Sequence, residues 1–344
     1  MSPDAMSPDA MSRERYIAAD NVCAWPNLTR LDDGTLLAAI YNRPVHGRWH
    51  GDVECWASAD DGRLWERRSV AAPGEPPGNR MNVAAGRDAA GVCFVIASGW
   101  TPVLEPGDSG EEFANQQRTV LPALVCRSED GGHTWTRAEG VALPDESAPP
   151  PIPFGDVVEG DGGLLACTMY SWQDRQNNTC WFYVSDDGGY TWAPRGVIGA
   201  DDYNETDILH LGEGRWLAAC RTVRDAHLQL FRSDDDGATW ADAGPLTLPR
   251  QHPGHLLRLA DGRILLVYGL RNPGLWGVGA RLSADGGNTW DSPRLLVDFG
   301  NATDGGYPSS AQCADGTIVT AYYANRVPAH DRYHMGVVRW QVEE

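Results

Sequence analysis

The sequence predicts an all-β fold: a six-bladed β-propeller of four-stranded antiparallel blades, closed into a ring by its N-terminal strand. Three observations lead there. The 344-residue chain holds 39 Gly, 23 Pro and 14 Trp, which favours many short strands joined by tight turns. A segment of the form Ser-x-Asp-x-Gly-x-(Thr or Leu)-Trp occurs five times, at Ser58–Trp65, Ser128–Trp135, Ser185–Trp192, Ser233–Trp240 and Ser283–Trp290. A second repeat, an apolar run, an Asp-Gly type turn and another apolar run, occurs six times and out of phase with the first.

The box is legible as a structural staple. Asp and Gly make a tight reversal between strands. The Ser and Asp side chains can bond the turn's own amides, and the Trp supplies a large apolar anchor. Copies of the second repeat include LTRLDDGTLLAAIY, ILHLGEGRWLAAC and SAQCADGTIVTAYY. Six turns against five boxes is what a closed ring requires. The Asp-Gly hairpin joins the first two strands of a blade and the box joins the last two. If Arg15–Ala19 supplies the outer strand of the sixth blade, and MGVVRWQV its third, that blade has no box and the ring leaves only short edges.

Composition narrows the function. All 28 basic residues are arginines, so phosphate-loop, Schiff-base and kinase lysines are excluded. A formal charge of −19 argues against nucleic acid and anionic membranes as partners. An anionic substrate would need a local arginine cluster. No apolar run is long enough to span a bilayer. Residues 1–13 carry a tandem MSPDA without an apolar core and read as a disordered tail rather than a secretion signal, leaving 14–344 as a single propeller domain. The eight cysteines form no CxxC and fall mostly in apolar runs, as buried thiols of a cytoplasmic protein would.

The innermost strand of each blade lines the axis, and polar residues at its end are costly to bury without a purpose. Counting back from the turn glycines, nine residues before Gly34, Gly214 and Gly316 stand Trp25, Glu205 and Tyr307. Seven before them stand Asn27, Asp207 and Ser309, and seven before Gly262 stands His255. Positions seven and nine face the same way on a strand, so these side chains should meet at the axis. Arg80 and Asn82 enter the second blade and Asp156 the third.

The five boxes are Asp boxes, and the chain resembles the sialidase (neuraminidase) superfamily over nearly its whole length. The family's tyrosine before the last hairpin has its counterpart in Gly306-Tyr307, its Asn-Glu pair in Asn204-Glu205, and its following arginine in Arg221 of LAACRT. The aspartate before the first box has its counterpart in Asp52, within HGDVECWAS. The resemblance implies an exo-acting, retaining glycoside hydrolase acting on a glycan or oligosaccharide. Tyr307 would be the nucleophile, Glu205 its base and Asp52 the general acid/base, with Glu54 as substitute, and no cofactor or metal would be needed. A neutral tyrosine suits a sugar whose anomeric carbon bears a carboxylate, which would repel a carboxylate nucleophile.

The resemblance also implies three arginines that clamp the substrate carboxylate, and here the chain departs from it. Ala24 stands in place of the first and Leu275 in place of the third. Arg271, with Arg80, Arg43 and Arg48, is the candidate replacement, and only Arg221 matches cleanly. The expected substrate is therefore a terminal, acidic sugar other than a standard sialoside. Substrate contacts are expected from Arg221, Arg271, Arg80, Arg43, Asn82, Asn27, Trp25, Asp207 and His255. Trp49, Trp100, Trp172 and Trp276 serve either blade packing or sugar stacking. His46 with His50, His252 with His255, and His330 with His334 have metal-like spacing, but none lies on a predicted helix. Residues 101–119 make either a lid or a plain loop. Two other readings stand beside the hydrolase: a polysaccharide lyase or rhamnosidase-like enzyme using His255, and a non-catalytic carbohydrate-binding propeller.

Overall fold

The computed structural model describes residues 13–103, 118–172, 177–224, 226–328 and 330–342. The expected tail, apart from Arg13, and most of the 101–119 segment lie outside the described residues. Strand β1 (Glu14–Asp20) is followed by a meander of β2 (Asn27–Arg30), β3 (Leu36–Tyr41), β4 (Val53–Ser58) and β5 (Glu66–Ala72). Next come β6 (Asn82–Arg87), β7 (Cys93–Pro102), β8 (Arg118–Ser128) and β9 (Thr136–Glu139), then β10 (Ile152–Glu159), β11 (Leu165–Tyr170), β12 (Cys180–Ser185) and β13 (Ala193–Gly199). The chain continues with β14 (Tyr203–Gly212), β15 (Arg215–Thr222), β16 (Leu228–Ser233) and β17 (Ala241–Pro245). After these lie β18 (Gln251–Arg258), β19 (Ile264–Asn272), β20 (Leu275–Ser283) and β21 (Arg294–Asp298). The last strands are β22 (Gly306–Gln312), β23 (Ile318–Ala324) and β24 (His334–Trp340).

The arrangement is an all-β propeller. β1 pairs antiparallel with β24, giving a sheet ordered β1-β24-β23-β22, so the N-terminal strand is the outer strand beside the C-terminal one. The sheets differ from the expected six separate blades. Four are four-stranded, but β6–β9 and β10–β13 share one eight-stranded sheet. Their inner strands β6 and β10 pair in parallel through Ala84–Gly86 and Gly155–Val157. The cause is local: a Cβ on Gly86 would lie 2.0 Å from the Val157 carbonyl oxygen, so only glycine lets the two backbones approach this closely.

Each box forms the same cage. Its Ser Oγ donates to the Asp carboxylate at 2.8 Å and accepts the amide of the following Gly at 2.8–2.9 Å. The Trp Nε1 donates to that glycine's carbonyl at 3.0–3.2 Å. The glycine has a second task. A Cβ on Gly62, Gly132, Gly189, Gly237 or Gly287 would fall within 2.9 Å of Val319, Cys55, Phe94, Phe182 or Leu217, each on the preceding meander. The boxes therefore weld neighbours together as well as closing their own hairpins, and the Trp240 ring lies 5.4 Å from Phe182 across the same seam. Between the seams, the core is filled by side chains such as Trp192, Trp216, Trp340 and Phe182.

Gly188 and Gly189 separate the two roles. Both have left-handed φ, +77° and +81°, but a Cβ on Gly188 meets nothing within 4 Å while one on Gly189 meets Phe94 at 2.2 Å. Gly188→Ala should cost about 1–2 kcal/mol from backbone strain alone. Gly189→Ala should cost about 1–3 kcal/mol more from overpacking. Urea unfolding of both variants checks this, and equal losses would mean that the seam contact contributes nothing.

Candidate active site

One cavity of about 840 Å³ lies at the axis, and the residues counted back from the turn glycines meet in it: Trp25, Asn27, Glu205, Asp207, His255, Tyr307 and Ser309 all line it. Position nine is delivered by irregular strand ends. The β14–β15 register shifts between Tyr203 and Thr206, and the β22–β23 register between Gly306 and Ser309. Tyr307 and Trp25 hold left-handed φ values of 50° and 40°. Such conformations are unfavourable for large side chains and persist where the surroundings impose them. Bulges of this kind re-aim side chains, here toward the axis.

The tyrosine hydroxyl is set between an acid and a base. Tyr307 Oη lies 2.8 and 2.9 Å from the two Glu205 carboxylate oxygens and can donate to either. Arg221 Nη1 donates to Tyr307 Oη at 2.9 Å and to Glu205 Oε2. The Arg271 guanidinium carbon sits 5.3 Å from the centre of the Tyr307 ring. Both Tyr307 and Glu205 are buried. Burial, and after it the charge of Glu205, push the Tyr307 phenol well above its ordinary range, while Arg221 and Arg271 pull it part of the way back. The phenol is thus neutral at rest, with an acceptor in place for its proton. Phe154, Trp25 and Tyr323 pack around its ring at 6.0, 6.2 and 5.6 Å between centroids.

Position seven does a different job. Asp207 Oδ1 accepts the amide of Asp156 and Oδ2 that of Leu256, so this carboxylate ties β14 to β10 and β18. Asn27 Nδ2 donates to the Gly155 carbonyl, and Ser309 Oγ accepts the Leu28 amide. These residues line the floor: both Asp207 oxygens, Asn27 Nδ2 and Ser309 Oγ are engaged by other strands, while Asn27 Oδ1 is buried without a partner. His255 Nε2 lies 3.3 Å from Asp156 Oδ2. Burial alone would lower the His255 pKa, but Asp156 and Asp207 raise it to about 9. Burial, followed by the charge of Asp156, raises Asp207, with His255 and the two amides pulling the other way. Among the described residues, two clusters bring three metal-capable atoms within 4.8 Å, Asp156 with Asp207 and His255, and Cys23 with His46 and Asp304. In each, one carboxylate already has both oxygens occupied by protein donors, so neither is built as a metal site.

Several expected residues are placed elsewhere. Asp52 does not line the cavity. Its Oδ1 accepts the Gly74 amide at 2.8 Å and its Oδ2 accepts Asn42 Nδ2 at 3.2 Å, which turns the carboxylate into a loop tie. Glu54 pairs with Arg67 and accepts Trp56 Nε1 on β4. Arg80 is buried and donates to the carbonyls of Ala97 and Pro122, so it braces β7 and β8 instead of facing the axis. Arg43 Nε donates to the His50 carbonyl, again away from the cavity. Asn82, Arg221, Arg271 and Arg48 do line it, as do Trp100 and Trp172, whose rings meet edge to face at 5.9 Å. Trp49 and Trp276 are not among its lining residues. Sequence reasoning missed Arg118, Phe154, Tyr170 and Asp304 as lining residues. The signal for Asp304 was present, since it opens the same Asp-Gly-Gly-Tyr turn that carries Tyr307.

The floor cluster has a pH signature. His255 is raised from its unfolded value near 6.5, so its contribution to stability is complete below about pH 6.5 and is lost as pH rises through about 9. His255→Gln should cost about 3–5 kcal/mol at pH 6, because it leaves buried carboxylates without their partner. The difference from the parent protein should shrink by pH 10. Denaturation at both pH values checks this, and a cost that grows with pH would contradict the assignment.

Comparison with known proteins agrees with this architecture. A family model described as a BNR repeat-like domain matches residues 34–320. No curated protein matches the chain. A protein of unknown function from Dyadobacter fermentans has a similar structure, with a TM-score of 0.79 and 23% identity over 97% of this chain and 99% of that one. Trypanosoma rangeli sialidase in complex with sialic acid is similar at TM-score 0.71 and 15% identity, over 96% of this chain and 59% of that one. The NanB sialidase from Streptococcus pneumoniae has a TM-score of 0.71 and 13% identity, over 95% and 70%. A Hadza microbial sialidase has a TM-score of 0.69 and 18% identity, over 93% and 65%, so the chain spans about two thirds of these sialidases. At such identities the structural likeness speaks for the fold alone. The five boxes, the propeller they staple and the family match together show that the chain belongs to the BNR repeat-like domain family.

Proposed function

We propose that the protein is an exo-acting, retaining glycoside hydrolase that releases a terminal acidic sugar, with Tyr307 as nucleophile and Glu205 as its base. The observation that carries this reading is the Tyr307 hydroxyl held within 2.9 Å of both Glu205 oxygens and of Arg221 in the axial cavity. As Tyr307 attacks the anomeric carbon, its proton passes to Glu205, and the neutral resting phenol avoids repulsion by an anionic sugar. Four arginines line the cavity, Arg48, Arg118, Arg221 and Arg271, which supports an acidic substrate despite the chain's strongly negative charge. The two departures from the sialidase clamp, Ala24 and Leu275, favour a sugar other than a standard sialoside. Arg271, seated over Tyr307, is the proposed replacement for the arginine expected at Leu275. We further propose that the eight-stranded sheet counts as two blades, which completes a ring of six.

A panel of chromogenic glycosides, including a sialoside and uronides, tests the reading. Tyr307→Phe should reduce kcat/KM on the cleaved member by about a thousandfold or more, as loss of a nucleophile does. Glu205→Gln should reduce it by about 10²–10⁴-fold. Full activity in Tyr307→Phe would overturn the nucleophile. An unsaturated uronide product would move the protein to the lyase reading.

A further inference from the structure

Glycosidic cleavage needs a proton for the departing oxygen, and neither Asp52 nor Glu54 is placed to give it. Asp207 and His255 are buried in the floor, and Glu205 is engaged with Tyr307. The remaining lining pair is His46 and Asp304. His46 Nδ1 lies 2.6 Å from Asp304 Oδ2. Asp304 is itself held by the hydroxyls of Tyr323 at 2.8 Å and Tyr333 at 2.7 Å. Burial alone would raise the Asp304 carboxyl, but the hydrogen bond and charge of His46, with both tyrosines, keep it well below the usual carboxylate range. The His46 side chain is 46% exposed and stands edge-on to Trp25 at 4.6 Å, and Trp25 in turn meets Tyr307. The chain therefore brings an anchored, accessible imidazole to the cavity wall, linked to Tyr307 through the Trp25 ring. Asp304, which anchors it, lies three residues before Tyr307 in the same turn.

We propose that His46, oriented by Asp304, is the catalytic acid/base of the glycosidic reaction, an inference that rests on the hydrolase reading above. With Nδ1–H committed to Asp304, Nε2 is the working nitrogen. In the first step the His46 imidazolium gives its Nε2 proton to the glycosidic oxygen, and the breaking C–O bond leaves its electron pair there. Tyr307 oxygen forms the new bond to the anomeric carbon as its own proton passes to Glu205. In the second step neutral His46 takes a proton from water as that water attacks the same carbon. The Tyr307–carbon bond then breaks toward oxygen, which recovers its proton from Glu205. Asp304, the Trp25 ring and the Cys23 thiol stand around His46, and Arg48 of its own loop lines the same cavity.

The test uses two glycosides of the sugar that the parent protein cleaves, one with a dinitrophenolate and one with an alkyl alcohol as leaving group. His46→Gln should lower kcat/KM on the alkyl glycoside by about 10²–10⁴-fold and on the dinitrophenyl glycoside by less than about tenfold, because only the first needs protonation. Azide should restore turnover of the dinitrophenyl substrate by replacing the water that His46 no longer activates. Asp304→Asn should shift both substrates in the same directions by a smaller factor. Equal losses on the two substrates, or none, would overturn the assignment of His46 while leaving the hydrolase reading in place. Failure of the parent protein on every glycoside would overturn that reading, and this inference with it.

Discussion

The Asp207 carboxylate accepts a backbone amide from the strand on either side of it, Asp156 on β10 and Leu256 on β18. Inner strands of a propeller converge on the axis with their ends turned toward a cavity, and the backbone groups there have no partner within their own sheets. A buried amide without an acceptor is costly. Asp207 resolves this for both neighbours at once, and Asn27 and Ser309 make similar links at equivalent positions. His255 balances the charge that this places in the floor. The floor is therefore tied across strands of several meanders, and what stands two residues nearer the mouth is held with it.

What stands there is Glu205 and, from the last meander, Tyr307. Their meeting depends on irregular strand ends and left-handed backbone at Tyr307, a local cost that the ties beneath sustain. Arg221 bridges the pair from β15. In the proposed reaction, proximity of this kind sets the proton transfer in advance of binding and leaves little reorganisation for the chemical step.

The regular part of this molecule was legible in the sequence because it is repeated. Five boxes and six Asp-Gly turns specify which strands neighbour which, and counting back from turn glycines placed Trp25, Glu205, Tyr307, Asp207 and His255 at the axis. Sheet membership was not legible in the same way: Gly86 joins two meanders through a close backbone approach that leaves no mark in the apolar pattern. Loops carried the remaining errors. The resemblance points to Asp52, and position and residue type point to Arg43 and Arg80, yet each donates to or accepts from nearby loop or strand backbone. Spacing pairs His46 with His50, while the carboxylate it meets, Asp304, lies 258 residues away. Side chains that answer to a repeat can be placed from sequence, and those that answer to a distant contact cannot.

In the proposed mechanism Tyr307 forms a covalent bond to the sugar. A fluorinated derivative of the cleaved sugar, bearing a good leaving group, slows the second step more than the first and should leave the intermediate in place. Peptide mapping by mass spectrometry after such treatment should find the fluorosugar on the peptide containing Tyr307, with fragmentation locating it on that side chain. A stable adduct on Glu205 or any other residue would rule out Tyr307 as the nucleophile.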